Sequence, residues 1–381
     1  MNNIPSAENL GIPVEADAEA VERKLVSFWK SAGEDGKPAV IRACSCNLIA
    51  FVRDRGRLQE LFPVLAKVSE WHPSRSLAVF VAPDEELSPP DMHAWIGAQC
   101  SIPFSGGPQV CSETIALAAR NRARLSLPDA VLSLLIPDLP VYLYWRSFWI
   151  SDQDLVERLA RFSHLLIVDS HRTREDPANR LRLLRLLIER PAGIAMRDLN
   201  WSRITPWRDL IAQFFDSASL NRYVHEITEV DITRNLSAPG SIPTRTLLLT
   251  GWLASSLGWQ RVSAERSGDR WSSVWKSRGR EIRVRFTGKE SRAGQPPGIG
   301  SVTLRAGGEA VFSVFVEGGS RCLTATASAG ESRLVHSVPE EPLDEASLLI
   351  RELSQTGEDA AFKAALAEAY ELEKAFSCPQ S

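Results

Sequence analysis

The chain has 381 residues, 44% of them hydrophobic and 24% charged, with a formal net charge of −3. That length suits two domains, or three if the ends pack separately, and the composition is that of an ordinary globular protein. The near-neutral balance gives no global pull towards nucleic acid or anionic membrane, and no apolar run nears the roughly 18 residues of a membrane span.

The opening MNNIPSAENLGIPVEADAEAVE is polar and acidic, without the basic and apolar regions of a signal peptide, which predicts a cytoplasmic protein. Residues 1–38 read as a frayed start, a helix over Asp17–Ala32 with Val21, Leu25 and Phe28 on one face, and a linker. Val40–Val52 reads as a strand, with Cys44 and Cys46 on one face as packed half-core. Gly56–Ser69 reads as a helix and Leu77–Ala82 as a strand, completing a β-α-β unit. Between them, His72 could titrate and Arg75 could grip an anion, but a His-Pro at a strand entrance is read here as structural.

Met92–Ile102 and Val110–Ala118 flank FSGGPQ and predict a β-hairpin, with a helix for the second arm as the alternative. A hairpin centred on Ser105-Gly106 sets Cys100 opposite Cys111, with Cβ atoms about 4.5–5.5 Å apart. A one-residue slip would separate them. Pro128–Ile136 and Ser151–Arg161 read as helices, Val141–Trp145 and Leu165–Asp169 as strands. Asp176-Pro177 opens a helix to Glu189 whose outer face is expected to carry Arg180, Arg182, Arg185 and Arg190. Such a row is a solvated face or a docking face for an acidic partner. Alternation across 40–216 predicts an α/β domain with a mostly parallel or mixed sheet.

The stretch Gly193–Asp216, GIAMRDLNWSRITPWRDLIAQFFD, reads as a short strand, a polar corner turned by Asp198 and Asn200, and a helix capped by Thr205 with Pro206 at its first position. Trp207, Leu210, Ile211 and Phe214 fall at i, i+3, i+4 and i+7, a buried face. Helical phase leaves Trp201, Arg203 and Arg208 unexplained. Trp and Arg are frequent anchors of protein interfaces, so Asp198, Asn200, Trp201, Arg203 and Arg208 are the candidate partner-binding residues. The competing reading is a Trp packed under an Arg–Asp pair. Eleven Trp in the chain also point to aromatic surface for a partner.

Val224–Thr233 and Leu236–Thr244 read as a polar, Pro-containing crossing, and Thr246–Leu257 as a helix. Trp271–Lys276, Glu281–Thr287, Ser301–Ala306, Ala310–Glu317 and Arg321–Ser328 predict an antiparallel meander, with a loop over 288–300. Asp344–Ser354 and Glu358–Phe376 read as two amphipathic helices, the second closing onto one of the two domains. The predicted class is thus α/β, α+β overall: an N-terminal alternating α/β domain with a mixed sheet (39–235), then a smaller antiparallel β-meander domain with its leading helix (236–340), and a helical tail (341–381).

The six cysteines, 44, 46, 100, 111, 322 and 378, form neither a disulfide framework nor a zinc pattern. There is no G-x-S-x-G, Walker A, HExxH or dinucleotide fingerprint. Asp169-Ser170-His171 is the best triad-like cluster, but adjacent residues do not normally face one another as nucleophile, base and orienter. These absences favour a binding protein without cofactor over an enzyme.

DLNWSRITPWRDLIAQFFD resembles the signature of the glucose-6-phosphate dehydrogenase assembly protein family, OpcA. IRACSCNLIAFV (Ile41–Val52), HPSRS (His72–Ser76), IPDLPVYLYWR (Ile136–Arg146) and LLIVDS (Leu165–Ser170) agree in order. The resemblance implies a non-catalytic partner that promotes the active oligomer of glucose-6-phosphate dehydrogenase in the oxidative pentose phosphate pathway. It also suggests thioredoxin-linked control, for which Cys100 and Cys111 are the candidate redox pair. The opposing view, two buried and inert thiols, is favoured because neither has a Lys or Arg beside it in sequence. The alternatives are an enzyme acting on a sugar phosphate and a nucleic-acid binder using the Arg180–Arg190 helix.

Overall fold

The computed structural model describes residues 11–34, 40–53, 55–82, 89–101, 109–146, 153–173, 177–189, 193–236, 242–268, 270–290, 298–317, 322–339 and 344–377. The expectations for the frayed start up to residue 10, the Ser105-Gly106 turn, Asp176, Arg190, most of the 288–300 loop and Cys378 lie outside them. The chain divides into two units, each assembled from separate stretches. The first is Met1–Asp169, Arg190–Leu199 and Asp344–Glu358; the second is Ser170–Glu189, Asn200–Leu343 and Asp359–Ser381. This replaces the consecutive boundaries 39–235, 236–340 and 341–381, and the second unit is nearly as long as the first.

The first unit holds a nine-stranded sheet. Its strands are β1 (Ile12–Val14), β2 (Val40–Arg42), β3 (Cys46–Val52), β4 (Ser74–Val81), β5 (Met92–Ser101), β6 (Gln109–Ala119), β7 (Val141–Trp145), β8 (Leu165–Val168) and β9 (Ala195–Asp198). They run in the order β1-β5-β6-β4-β3-β7-β8-β9, with β2 beside β6. The strands from β6 to β9 are parallel, while β5 is antiparallel to β1 and β6. Leu48–Val52 are fully buried, as a parallel strand covered on both faces requires.

From β3 the chain steps outward through β4 to β6, then returns to β7 on the other side of β3 and continues to β8 and β9. Counting β3 as first, that is the 3-2-1-4-5-6 order of doubly wound dinucleotide-binding sheets. The predicted hairpin forms as β5 and β6, with Cys100 paired to Cys111 in register. Val40–Val52 is not one strand: β2 and β3 have different partners, and Cys44 lies in the break between them.

The second unit holds an eight-stranded sheet ordered β11-β12-β13-β10-β14-β15-β16-β17. The strands are β10 (Ile227–Leu236), β11 (Gln260–Ser267), β12 (Arg270–Ser277), β13 (Arg280–Glu290), β14 (Gly298–Ala306), β15 (Ala310–Val316), β16 (Cys322–Ala329) and β17 (Ser332–Pro339). All neighbours are antiparallel except β10 with β13. Within the expected polar crossing, Ile227–Leu236 is instead the central strand β10. Val230 and Ile232 face the core, while Glu229 and Asp231 point the other way and pair with Arg285 of β13, each at 2.7 Å.

Helices Thr205–Gln213, Thr244–Leu257 and Ala360–Ser377 cover the apolar face. Phe214 meets Phe312 at 5.4 Å between ring centroids, and Phe376 meets Trp271 at 4.9 Å. At Gly251 a Cβ would run into the Ala365 carbonyl, so the absence of a side chain lets helices Thr244–Leu257 and Ala360–Ser377 approach closely. Both predicted tail helices form, Glu345–Leu353 in the first unit and Ala360–Ser377 in the second.

Candidate functional site: a filled crevice and a buried signature

A doubly wound sheet offers its ligand crevice where the strand order reverses, outside the carboxyl ends of the two adjoining strands. Here those strands are β3 and β7. After β3 the sequence runs Arg53-Asp54 into the helix Arg55–Trp71, with Gly56 alone in place of the three-glycine run that lets a pyrophosphate approach the backbone. Past the end of β7, Arg146 is buried, and its fork donates to both oxygens of Glu345, Nε at 2.6 Å and Nη2 at 2.9 Å. The Tyr144 hydroxyl donates to the same carboxylate at 2.6 Å, and Arg146 Nη1 donates to the Arg57 carbonyl at 2.9 Å. Burial opposes the Arg146 charge, but Glu345, followed by Tyr144 and by Glu60 at 3.1 Å from Nη1, outweighs it and raises the guanidinium pKa.

Glu345 opens the helix Glu345–Leu353, which crosses this end of the first unit as a strap. Asp344 caps that helix by accepting from the Ser347 N–H at 2.7 Å, and Lys67 pairs with its other oxygen at 2.7 Å. His72 Nε2 lies 3.3 Å from the Ile350 carbonyl oxygen and 3.1 Å from Ser354 Oγ. Buried Arg197 pairs with buried Glu352 at 3.3 Å and donates to the Gly357 carbonyl. His72 is therefore a structural anchor for the strap.

Lys67, followed by the Ser347 N–H, holds the Asp344 carboxyl well below its ordinary range, at about 2. A depressed carboxylate stabilises above its unfolded pKa, and that stabilisation is lost as pH falls through the folded value. The pair is half exposed, which keeps the effect below about 1 kcal/mol. Melting curves of the parent and Asp344→Asn should therefore separate above pH ~4 and converge towards pH ~2. A constant gap across that window would show that the carboxylate charge contributes nothing.

A second buried charge cluster lies under β4 and β6. Glu113 is fully buried and accepts from Arg75 Nε at 2.8 Å, Arg42 Nε at 2.6 Å and Trp29 Nε1 at 2.8 Å. Arg75 also pairs with Glu22 and donates to the Leu134 carbonyl. The chain's own carboxylates thus hold Arg75, and no external anion is needed to pair it. Burial pushes the Cys46 thiol up to about 11 and raises Cys44 as well, so both are poor thiolates.

The signature corner differs from its expected form. Asp198 ends β9, and Leu199–Arg203 makes a short helix directly before Thr205–Gln213. Asp198, Asn200 and Trp201 are buried, so they are not exposed partner anchors. Trp201 donates its indole N–H to Asp359 Oδ2 at 2.8 Å and packs on Phe362, 5.6 Å between centroids. Asp359 Oδ1 in turn accepts the Phe362 N–H at 2.8 Å, tying the start of helix Ala360–Ser377 to the indole. The Arg208 guanidinium covers the ring at 3.6 Å, a cation–π contact.

Asn200 donates to Ser170 Oγ at 2.9 Å and accepts from Arg203 at 3.3 Å. Thr205 does not cap; its hydroxyl contacts the Trp201 carbonyl at 3.4 Å and accepts from Arg208 at 2.9 Å. Arg203 and Arg208 are the half-buried edge of the corner. Trp207, Leu210, Ile211 and Phe214 are buried as their helical phase predicted.

The arginine row on helix Pro177–Ile188 is not a single basic face. Arg180 is fully buried against Glu373 of helix Ala360–Ser377, while Arg185 is exposed and pairs with Glu189 at 2.9 Å. Ser170 is buried under Asn200, and His171 Nδ1 lies 3.2 Å from Arg245 Nη2, so Ser170 and His171 each have their own partner. Cys100 and Cys111, opposite one another in register, are joined as a disulfide. Among the described residues no group of three or more His, Cys, Asp or Glu could hold a metal ion, and no helix is long and apolar enough to cross a membrane.

The model of a glucose-6-phosphate dehydrogenase subunit N-terminal domain matches residues 66–185, and that of the corresponding C-terminal domain matches residues 194–366. The OpcA protein of Nostoc punctiforme is 34% identical over 200 residues, 52% of this chain and 41% of that protein. The OpcA protein of Synechocystis sp. is 32% identical over 154 residues, 40% of this chain and 31% of that protein. The matched stretch is thus less than half the length of either relative.

Among solved structures, the WlbA (WbpB) dehydrogenase from Thermus thermophilus overlaps with a TM-score of 0.44 at 13% identity, over 88% of this chain and 97% of that one. An oxidoreductase from Sinorhizobium meliloti gives 0.36 at 12% identity, over 62% and 70%. Overlap at that level carries no argument about chemistry. The two subunit domains follow one another in order along most of the sequence, and the sequence relatives are OpcA proteins: this chain belongs to the OpcA family of glucose-6-phosphate dehydrogenase assembly proteins.

Proposed function

We propose that this protein is a non-catalytic assembly partner and activator of glucose-6-phosphate dehydrogenase. The observation that carries the reading is the ordered match to both subunit domains. Its named relatives are OxPP cycle proteins, consistent with work in the oxidative pentose phosphate pathway. The sheet supports a non-catalytic role, since its crevice lacks the glycine turn and is filled by Glu345.

Activation needs no catalytic residue from this chain. A partner that binds the active oligomer better than the dissociated enzyme shifts that equilibrium by its differential affinity. About 1–3 kcal/mol of coupling changes activity roughly 5–150-fold. Arg203 and Arg208 form the partner-facing edge of the signature in this proposal, with Asn200 bonded to Arg203 and Trp201 stacked under Arg208, while buried Asp198 serves the end of β9. Reduction of the Cys100–Cys111 bridge by a thioredoxin-type donor would loosen the end of the β5–β6 hairpin and tune the same interaction.

Co-sedimentation of the purified chain with the cognate dehydrogenase, alongside calorimetry with NADP, tests this reading. A dehydrogenase complex that Arg203→Ala weakens without shifting the melting temperature is the expected result, with no heat from NADP on the isolated chain. Tight NADP binding by the isolated chain, or separate sedimentation at all ratios, would reject it.

A further inference from the structure

We propose that the crevice at the carboxyl ends of β3 and β7 is an oxyanion site, filled in this state by the chain's own Glu345, and that a phosphate group entering it releases the strap Asp344–Glu358. Three donors from one strand end converge on a single carboxylate: Nε and Nη2 of Arg146 and the hydroxyl of Tyr144. A guanidinium fork fits carboxylate and phosphate alike. The place is the one the strand order predicts for a ligand, and the occupant comes from 199 residues further along the chain.

The chemistry also selects the size of the ligand. These donors are side chains, and the turn after β3 has no glycine run to bring backbone N–H groups to a pyrophosphate. A single phosphate, free or as a monoester, therefore fits where a dinucleotide does not. Polar contacts recur along the strap: Lys67 on Asp344, Arg146 on Glu345, His72 on the Ile350 carbonyl and Arg197 on Glu352 and the Gly357 carbonyl. The strap also buries Ala346, Leu348, Leu349 and Leu353; because a buried ion pair adds little net stability over an apolar contact, exchanging the Glu345 carboxylate for phosphate loosens the strap at its polar start first. Glu345 keeps about 13% of its side chain exposed, which leaves an approach from solvent.

Because Glu345 is tethered, it competes as an intramolecular ligand, and the apparent affinity for phosphate falls by the fraction of time the site is open. Calorimetry with inorganic phosphate and hydrogen exchange on the full chain test this, with chloride at matched ionic strength as control. Phosphate should speed exchange at the amides of 345–353 and leave helix Ala360–Ser377 unchanged. Glu345→Gln should bind phosphate about tenfold more tightly than the parent, and Arg146→Gln should not bind it. Lys67→Ala, which loosens the strap from outside the crevice, should tighten phosphate binding by up to about fivefold. Equal exchange in phosphate and chloride, together with no gain in affinity for Lys67→Ala, would overturn the proposal even if Glu345→Gln failed to fold.

Discussion

Trp201→Ala is expected to lower the unfolding free energy by about 3–5 kcal/mol, the usual loss for truncating a buried aromatic side chain. The indole is buried, donates to Asp359 and packs on Phe362 beneath Arg208. Its removal opens a cavity, strips Arg208 of its aromatic partner and leaves the Asp359 carboxylate without that donor. Trp71→Ala provides the contrast: Trp71 is 70% exposed at the end of helix Arg55–Trp71, and its loss should fall within about 0.5 kcal/mol. Urea titrations of the two variants against the parent measure both. A parental midpoint for Trp201→Ala would mean that the indole is not packed.

Arg180→Met should be nearly as damaging. Arg180 and Glu373 are both buried, with Nε and Nη2 of the guanidinium on one carboxylate oxygen. Removing one partner leaves a buried, uncompensated charge, which costs about 3–5 kcal/mol. Removing both behaves differently, because buried ion pairs are often replaced by apolar groups at no loss. Arg180 Nη1 and Glu373 Oε2 have no hydrogen-bond partner among the described residues, which raises the desolvation cost of the native pair. The double variant Arg180→Met/Glu373→Leu should therefore return to within about 1 kcal/mol of the parent. Additive losses in this cycle would contradict the account.

These two sites mark where sequence reasoning reached and where it stopped. The apolar runs in Val40–Val52, Val141–Trp145 and Leu165–Asp169 read as strands of a mostly parallel or mixed sheet, and Leu48–Val52, Val141–Trp145 and Leu165–Val168 form there as β3, β7 and β8 or parts of them. Strand β10 alternates equally well, yet its outward residues are Glu229 and Asp231, whose stabilising partner Arg285 is 54 residues away from Asp231. Helical phase placed Trp207 correctly but was silent on Trp201, which sits in the short preceding helix. Its partners Asp359 and Phe362 lie about 160 residues later, and without them a Trp among arginines reads as surface.

The same limit hid Arg180, whose spacing suggests the face that carries exposed Arg185 but whose partner Glu373 belongs to the last helix. The crevice was partly legible. Tyr144 and Arg146 close a motif that stood out in the sequence, but no spacing rule connects them to Glu345. Only the strand order marks that place as the switch point of the sheet.

The central claim, that this chain activates a dehydrogenase without sharing its chemistry, is tested most directly by one titration. Cognate glucose-6-phosphate dehydrogenase is held at a fixed concentration below its assembly midpoint, and initial rates are measured as this protein is added, with the bridge oxidised and then reduced. The account predicts a saturable rise of roughly 5–150-fold, zero turnover by this protein alone, and a different half-saturation in the two redox states. A flat titration at all concentrations and in both redox states, or turnover of glucose 6-phosphate by this protein alone, would contradict it.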